Sequence, residues 1–242
     1  MEYLNDLVST DNYMGSFKKI ADLLLNQYNL IIGNIEFEIT EIEFYYNDND
    51  KHYDKNIHRF NEQKKSNSWY IHKKGRGGID ITFGNSKHYG GILIRGIKEI
   101  NSDKYINGPL NVLKEIQKIL NKSRSELRNE LKDKDIETSL VKLKQKSNYS
   151  KKFIYQGPRV GLVEADSLVA FPYRFIVDIN SKHKFVEKSY VYLYTLKLYP
   201  HMKDKILKDI RYKFDFESTL NTLEKNLKRN ENIIKYLKKG TK

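Results

Sequence analysis

The sequence predicts one mixed α/β domain of the α+β kind, with a helical extension toward its C-terminus. Three observations predict it. Period-two alternation over Ile39 to Tyr45 and the apolar run Gly90 to Arg95 read as strands. Helical stripes flank them, at Phe17, Ile20, Ala21 and Leu24 and again at Leu110, Leu113 and Ile116. With 242 residues the chain can bury one sizeable core, and no repeat or interdomain linker divides it.

In chain order, Ser16 to about Tyr28 reads as a first helix capped by Ser16. Strand patterning follows over Asn29 to Tyr46, with a turn at Gly33-Asn34. Asn47 to Ser68 is polar and reads as loop, and strands resume at Ser68 to Phe83 and Gly90 to Ile97. Gly108-Pro109 punctuates the chain before a helix through Leu110, Leu113, Ile116, Ile119 and Leu120. Charge dominates 121–152, where Ser125 to Leu143 reads as one or two exposed helices beside a basic run, Lys142, Lys144, Lys146, Lys151 and Lys152. Strands are expected at Gly157 to Leu162, at Pro172 to Asp178 and over Ser189 to Tyr199, where Tyr190, Tyr192 and Tyr194 alternate. After Ser218, Leu220, Leu223, Leu227, Ile234 and Leu237 share a helical face. The expected organisation is a domain over 1–199, with a charged helical insertion near 121–152, and a helical extension over 200–242 packed on it.

Composition narrows the function. Lys and Arg number 44 against 31 Asp and Glu, a net charge of +13, which suits a polyanion such as nucleic acid. The absence of cysteine excludes disulfides, thiolate metal sites and a cysteine nucleophile. No apolar run approaches membrane-spanning length, and the first residues do not resemble a signal peptide. The expected location is intracellular, in the cytoplasm and associated with DNA, without a membrane partner.

The stretch Ile39-Thr-Glu-Ile-Glu-Phe-Tyr45 carries the chemistry. Thr40, Ile42 and Phe44 fall on one face; Ile39, Glu41, Glu43 and Tyr45 fall on the other. Glu43 beside Tyr45 can serve as a general base next to a stacking ring, while a solvated polar face would give the same alternation. Four blocks then follow in order: this strand; Asp54-Lys-Asn-Ile-His58; Gly91-Ile-Leu-Ile-Arg95 with Gly108-Pro109 behind it; and Gly157-Pro-Arg-Val-Gly-Leu162 with Pro172-Tyr-Arg-Phe175. Together they resemble the alkyladenine DNA glycosylase family, the 3-methyladenine glycosylases built on a formyltransferase-like β-barrel. The resemblance covers roughly Ile20 to Asp178. It implies a strongly curved antiparallel sheet or barrel of the formyltransferase C-terminal type. It also implies a monofunctional DNA N-glycosylase that flips out a damaged or modified base and hydrolyses its glycosidic bond. Under it Glu43 activates water, Tyr45 stacks on the base, Arg95 orients Glu43 or the water, and His58 contacts the flipped nucleotide or its phosphate. No cofactor is implied, and the expected state is a monomer on single- or double-stranded DNA.

The sequence departs from that family where the base is read. His72 falls where a second stacking tyrosine belongs, after Tyr70 in the same pocket-lining block, and Asp80 replaces a selecting Asn. An ionised Asp only accepts, so it would favour bases presenting an amino donor. The Tyr-Gly wedge is absent, with Lys73 to Gly78 in its place. A base other than 3-methyladenine, hypermodified included, stays open, in DNA repair or in defence against foreign DNA. Two rival readings remain: a non-catalytic nucleic-acid reader on the same fold, and a metal-dependent nuclease using His52, Asp54 and His58.

Overall fold

A computed structural model describes residues 1–73, 77–162, 167–210, 216–225 and 231–239. They form two compact units, Met1–Phe153 and Ile154–Lys242. The fold is mixed α+β with a strongly curled antiparallel sheet; the alternating segments predicted the mixed class, and the family resemblance implied the curved sheet.

The first unit opens with α1 (Tyr13–Asp22), which continues as a π-helical turn, Leu23–Gln27. Strands β1 (Tyr28–Ile32), β2 (Ile35–Asn47), β3 (Ser66–Ile71), β4 (Ile79–Phe83), β5 (Tyr89–Glu99) and β6 (Tyr105–Asn107) follow. Helices α2 (Pro109–Leu120) and α3 (Arg124–Leu131) then lead to β7 (Val141–Gln145). The sheet order is β3-β4-β5-β2-β1-β7, with β6 also paired to β5. Alternation sorts the side chains of β2: Phe44 and Tyr46 join Phe17 of α1 and Phe83 of β4 in an aromatic core. Phe17 stacks on Phe44 at 4.8 Å between centroids, and Phe83 meets Phe44 edge-on at 5.7 Å. Removing any one of these rings costs about 3–5 kcal/mol by the usual cavity penalty. The opposite face of β2 is left for Glu43 and Tyr45.

Two sequence expectations change in this unit. Asn12, not Ser16, caps α1, its side chain accepting from the Gly15 N–H at 2.8 Å. Ser16 lies within the first turn and ties the preceding segment down by accepting from the Ser9 N–H. The basic run does not belong to a helix. Val141 and Leu143 alternate inward, so Lys142 and Lys144 sit on β7, which pairs with β1 at the end of this strand order. Lysines on such a strand discourage further strand addition.

In the second unit β8 (Tyr155–Gly157) pairs antiparallel with β9 (Arg174–Ile176). Helices α4 (Lys188–Leu198), α5 (Lys203–Ile210), α6 (Phe216–Lys225) and α7 (Glu231–Lys238) complete it. The strand expected over Gly157 to Leu162 ends at Gly157, and that expected over Ser189 to Tyr199 is α4. Val191 to Leu196 are all buried, so the segment shows no polar period, and its alternating tyrosines mimic a strand. Once helical, Tyr194 stacks on Tyr236 at 5.0 Å and donates to the Ala170 carbonyl, while Thr195 bonds the backbone of Gln156. Gly157 allows the approach: a Cβ there would lie 2.9 Å from Val191. The leucine stripe is shared by two helices, with Leu220 and Leu237 packed on Leu193 and Tyr194; Leu227 lies outside the described residues.

Candidate functional site

The sheet register brings most of the expected site residues onto one face of the first unit. Glu43 on β2 stands opposite Leu93 on β5, Leu93 opposite Asp80 on β4, and Asp80 opposite Tyr70 on β3. Residues directly opposite in antiparallel strands project to the same side. The next row on that face runs Tyr45, Gly91, Thr82 and Ser68. Two polar clusters result, one on each side of the Leu93–Gly91 column.

The first cluster depends on two compensating irregularities. Between Ile39 and Ile42 the β2–β5 ladder skips Thr40 on one strand and Arg95 on the other. Bulges of this kind re-aim side chains and are common beside active sites. The Arg95 carbonyl accepts from the N–H of Gly108 at 2.7 Å, which ties the bulge to the start of α2. Gly96 leaves the needed room, since a Cβ there would lie 2.7 Å from Thr40 Oγ1 and 3.1 Å from Glu41 Cβ. Arg95 is thereby aimed at two carboxylates. Its Nε donates to Glu41 Oε1 at 2.8 Å, and its Nη1 donates to Glu43 Oε2 at 3.4 Å. The Tyr45 hydroxyl donates to the same Glu43 oxygen at 2.9 Å.

Glu43 is fully buried and Arg95 only 8 % exposed, whereas Tyr45 is half-buried. Burial opposes the Arg95 charge, but Glu43 and then Glu41 outweigh it and drive the guanidinium pKa up. Two carboxylates thus share one guanidinium. Chemically, that arrangement can accept a proton from water or stabilise a cation brought alongside.

The second cluster joins the remaining expected residues. His72 Nε2 lies 2.7 Å from Asp80 Oδ1, and Gln63 Nε2 donates to Asp80 Oδ2 at 3.4 Å. Asp80 is therefore engaged by protein donors on both oxygens. Burial opposes protonation of His72, but Asp80 overrides it and raises the imidazole pKa. His58 stands 4.5 Å from His72 between ring centres, and its Nδ1 is 3.0 Å from the Tyr70 hydroxyl. Burial, and then the neighbouring His72, lower the His58 pKa. Tyr70 is buried between Phe60 and His72, and desolvation pushes its phenol up.

The ligands proposed from sequence for a metal do not converge. His52 sits in the aromatic core, 4.8 Å from the Tyr13 ring, with Nδ1 2.8 Å from the Tyr46 carbonyl. Asp54 accepts from the N–H of Asn56, and His58 faces Tyr70 and His72. Among the described residues no group of three or more His, Cys, Asp or Glu side chains forms a metal site. Gln63 was not legible as a site residue, because it lies in a polar loop with no pattern. Of the segment in place of the wedge, 74–76 lie outside the described residues. Among the described residues no helix is long and apolar enough to cross a membrane.

No model of a known protein family matches the chain. It is 31 % identical over 200 residues to uncharacterized protein L759 of Acanthamoeba polyphaga mimivirus, an alignment spanning 69 % of this chain and 88 % of that protein.

Proposed function

We propose that this chain, which belongs to one family with that mimivirus protein, is a DNA N-glycosylase. It would hydrolyse the bond between deoxyribose and a flipped, modified base. The observation that carries this reading is the Glu43 carboxylate, held by the Tyr45 hydroxyl at 2.9 Å and by Arg95 at 3.4 Å, on a strand pair bulged at Arg95. Loss of the base leaves oxocarbenium character on the sugar, and a carboxylate beside it stabilises that charge and takes a proton from the attacking water. Arg95, shared with Glu41, holds that carboxylate in place. Tyr45, the half-buried member, marks the side on which a base would stack. His72, His58 and Tyr70 form the far wall. Asp80 acts through His72 in this reading, and so positions the imidazole instead of reading the base directly.

The test is incubation with a panel of alkylated, deaminated and hypermodified DNAs, scoring free base by mass spectrometry. Base release by the wild type, reduced at least about 100-fold in Glu43→Gln with strands left intact at abasic sites, is the expected result. Release that is unchanged in Glu43→Gln would remove Glu43 from the reaction.

A second reading has its own support. Complete burial of Glu43, with Arg95 and Tyr45 both on it, also suits a structural charge network in a non-catalytic nucleic-acid reader. Salt-sensitive DNA binding without base release on any substrate would favour it.

A further inference from the structure

Three separate segments of the first unit meet at a cleft of about 360 Å³, whose lining includes Phe60, Glu62, Lys65, Lys73, Lys132 and Asp133. That volume is at the lower end of the roughly 300–1,000 Å³ usual for ligand pockets. The turn before β3 supplies Phe60 to Lys65, the residues after β3 supply Lys73, and the residues after α3 supply Lys132 and Asp133. Its charge is uneven. Lys73 pairs with Glu62 at 2.7 Å and lies 4.6 Å from the Phe60 ring centre, and Lys65 pairs with Asp133. Lys132 is the third ammonium, exposed at the end of α3 and close enough to contribute to the low pKa values of both acids. Burial opposes ionisation of Glu62 and Lys73 leads in lowering it; Lys65 leads for Asp133. Two carboxylates thus face three ammonium groups.

We infer that this cleft binds a phosphate ester, with Lys132 as the principal ligand and Lys65 and Lys73 recruited from their pairs. The Lys65–Asp133 pair is half exposed on both sides, so opening it costs little. Phe60 forms the wall shared with the candidate site, 5.7 Å from Tyr70 and 6.3 Å from His58. A phosphate held here therefore lies on the His58 side of the polar face, where the strand flanking a displaced nucleotide would run. The inference does not depend on base excision and holds equally for a protein that only binds nucleic acid.

The experiment is a heteronuclear NMR titration of the full chain with 2′-deoxyadenosine 5′-monophosphate, with inorganic phosphate, with unphosphorylated deoxyadenosine, and with an oligothymidylate. Both small phosphates should move the backbone amides of Lys65, Lys73, Lys132 and Asp133, and deoxyadenosine should leave them in place. Lys132→Gln should weaken mononucleotide binding about fivefold and lower the salt slope of oligonucleotide binding by about 1, while Lys114→Gln, at an exposed position of α2, leaves both unchanged. Much tighter binding of the oligonucleotide marks the phosphate of a strand; comparable binding of the mononucleotide marks a free nucleotide. Shifts that map instead to Lys98, Lys146 and Lys152, no shift at millimolar phosphate, or equal losses in Lys132→Gln and Lys114→Gln would overturn it.

Discussion

Arg95 Nε donates to Glu41 Oε1 at 2.8 Å, and this bond ties together two strands whose ladder is out of step at that point. Thr40 and Arg95 are skipped on opposite strands, so the second irregularity restores the register that the first breaks. Regular pairing therefore resumes at Ile42 and Ile94, with Glu43 and Leu93 correctly opposed. The guanidinium is fixed where it reaches both carboxylates.

Removing that guanidinium should therefore be severe. Arg95→Met removes a buried guanidinium from two buried carboxylates and is expected to cost about 3–5 kcal/mol. Urea unfolding at pH 7 measures this, and a loss below about 1 kcal/mol would show that the trio is loosely held.

The glycine in the bulge gives a second prediction. Gly96→Ala places a methyl 2.7 Å from Thr40 Oγ1, and overpacking of this kind costs about 1–3 kcal/mol. The Thr40 hydroxyl is buried without a hydrogen-bond partner among the described residues. Thr40→Ala should then be nearly neutral, and the double variant should recover much of the Gly96→Ala loss. Additive losses in the thermal midpoints would contradict the close approach.

His72 and His58 should titrate apart. The His72 pKa is raised by Asp80 against burial, and that of His58 is lowered by burial and by His72. A raised histidine contributes stability fully present below its unfolded pKa near 6.5 and lost as pH rises through the higher folded value. Asp80→Asn should bring His72 down below 6.5, since burial then acts unopposed. Ring-proton NMR follows each histidine, and a wild-type His72 titrating below 6.5 would refute the assignment.

Glu38 marks the acid limit. Burial opposes its ionisation, but Lys152 and then Lys98 bring its pKa down to about 2. Lys152 lies at 2.8 Å and 2.9 Å from its two oxygens, and Lys98 at 2.8 Å. A lowered carboxylate contributes stability present above its unfolded pKa, near 4.5, and lost as pH falls toward 2. Glu38→Gln should cost about 2–3 kcal/mol at pH 6, and the gap from wild type should close between pH 4.5 and pH 2. A gap that stays constant across that range would show that the charge contributes nothing.

The sequence made the sheet legible where one face is apolar and the other is not. Ile42 and Phe44 alternate with Glu43 and Tyr45 because a strand has only two faces, so the aromatic core and the polar row could be separated by counting. Counting failed over Ser189 to Tyr199, where burial on all sides erases the period that tells a helix from a strand. It also misplaced Lys142 and Lys144, because a short strand between charged segments offers only Val141 and Leu143 as its signal.

By itself the sequence determined the mixed α+β class, the excess of positive charge, and the grouping of Glu41, Glu43 and Tyr45 on one side of β2, since composition and period-two alternation are local properties. Only the tertiary structure decided that Arg95 bridges Glu41 and Glu43, that Asp80 is taken by His72 and Gln63, and that His52 faces the core, away from His58. Those pairings depend on strand register, on bulges at Thr40 and Arg95, and on loops closing over residues far apart in the chain. Long-range packing sets all three, and no local pattern encodes them.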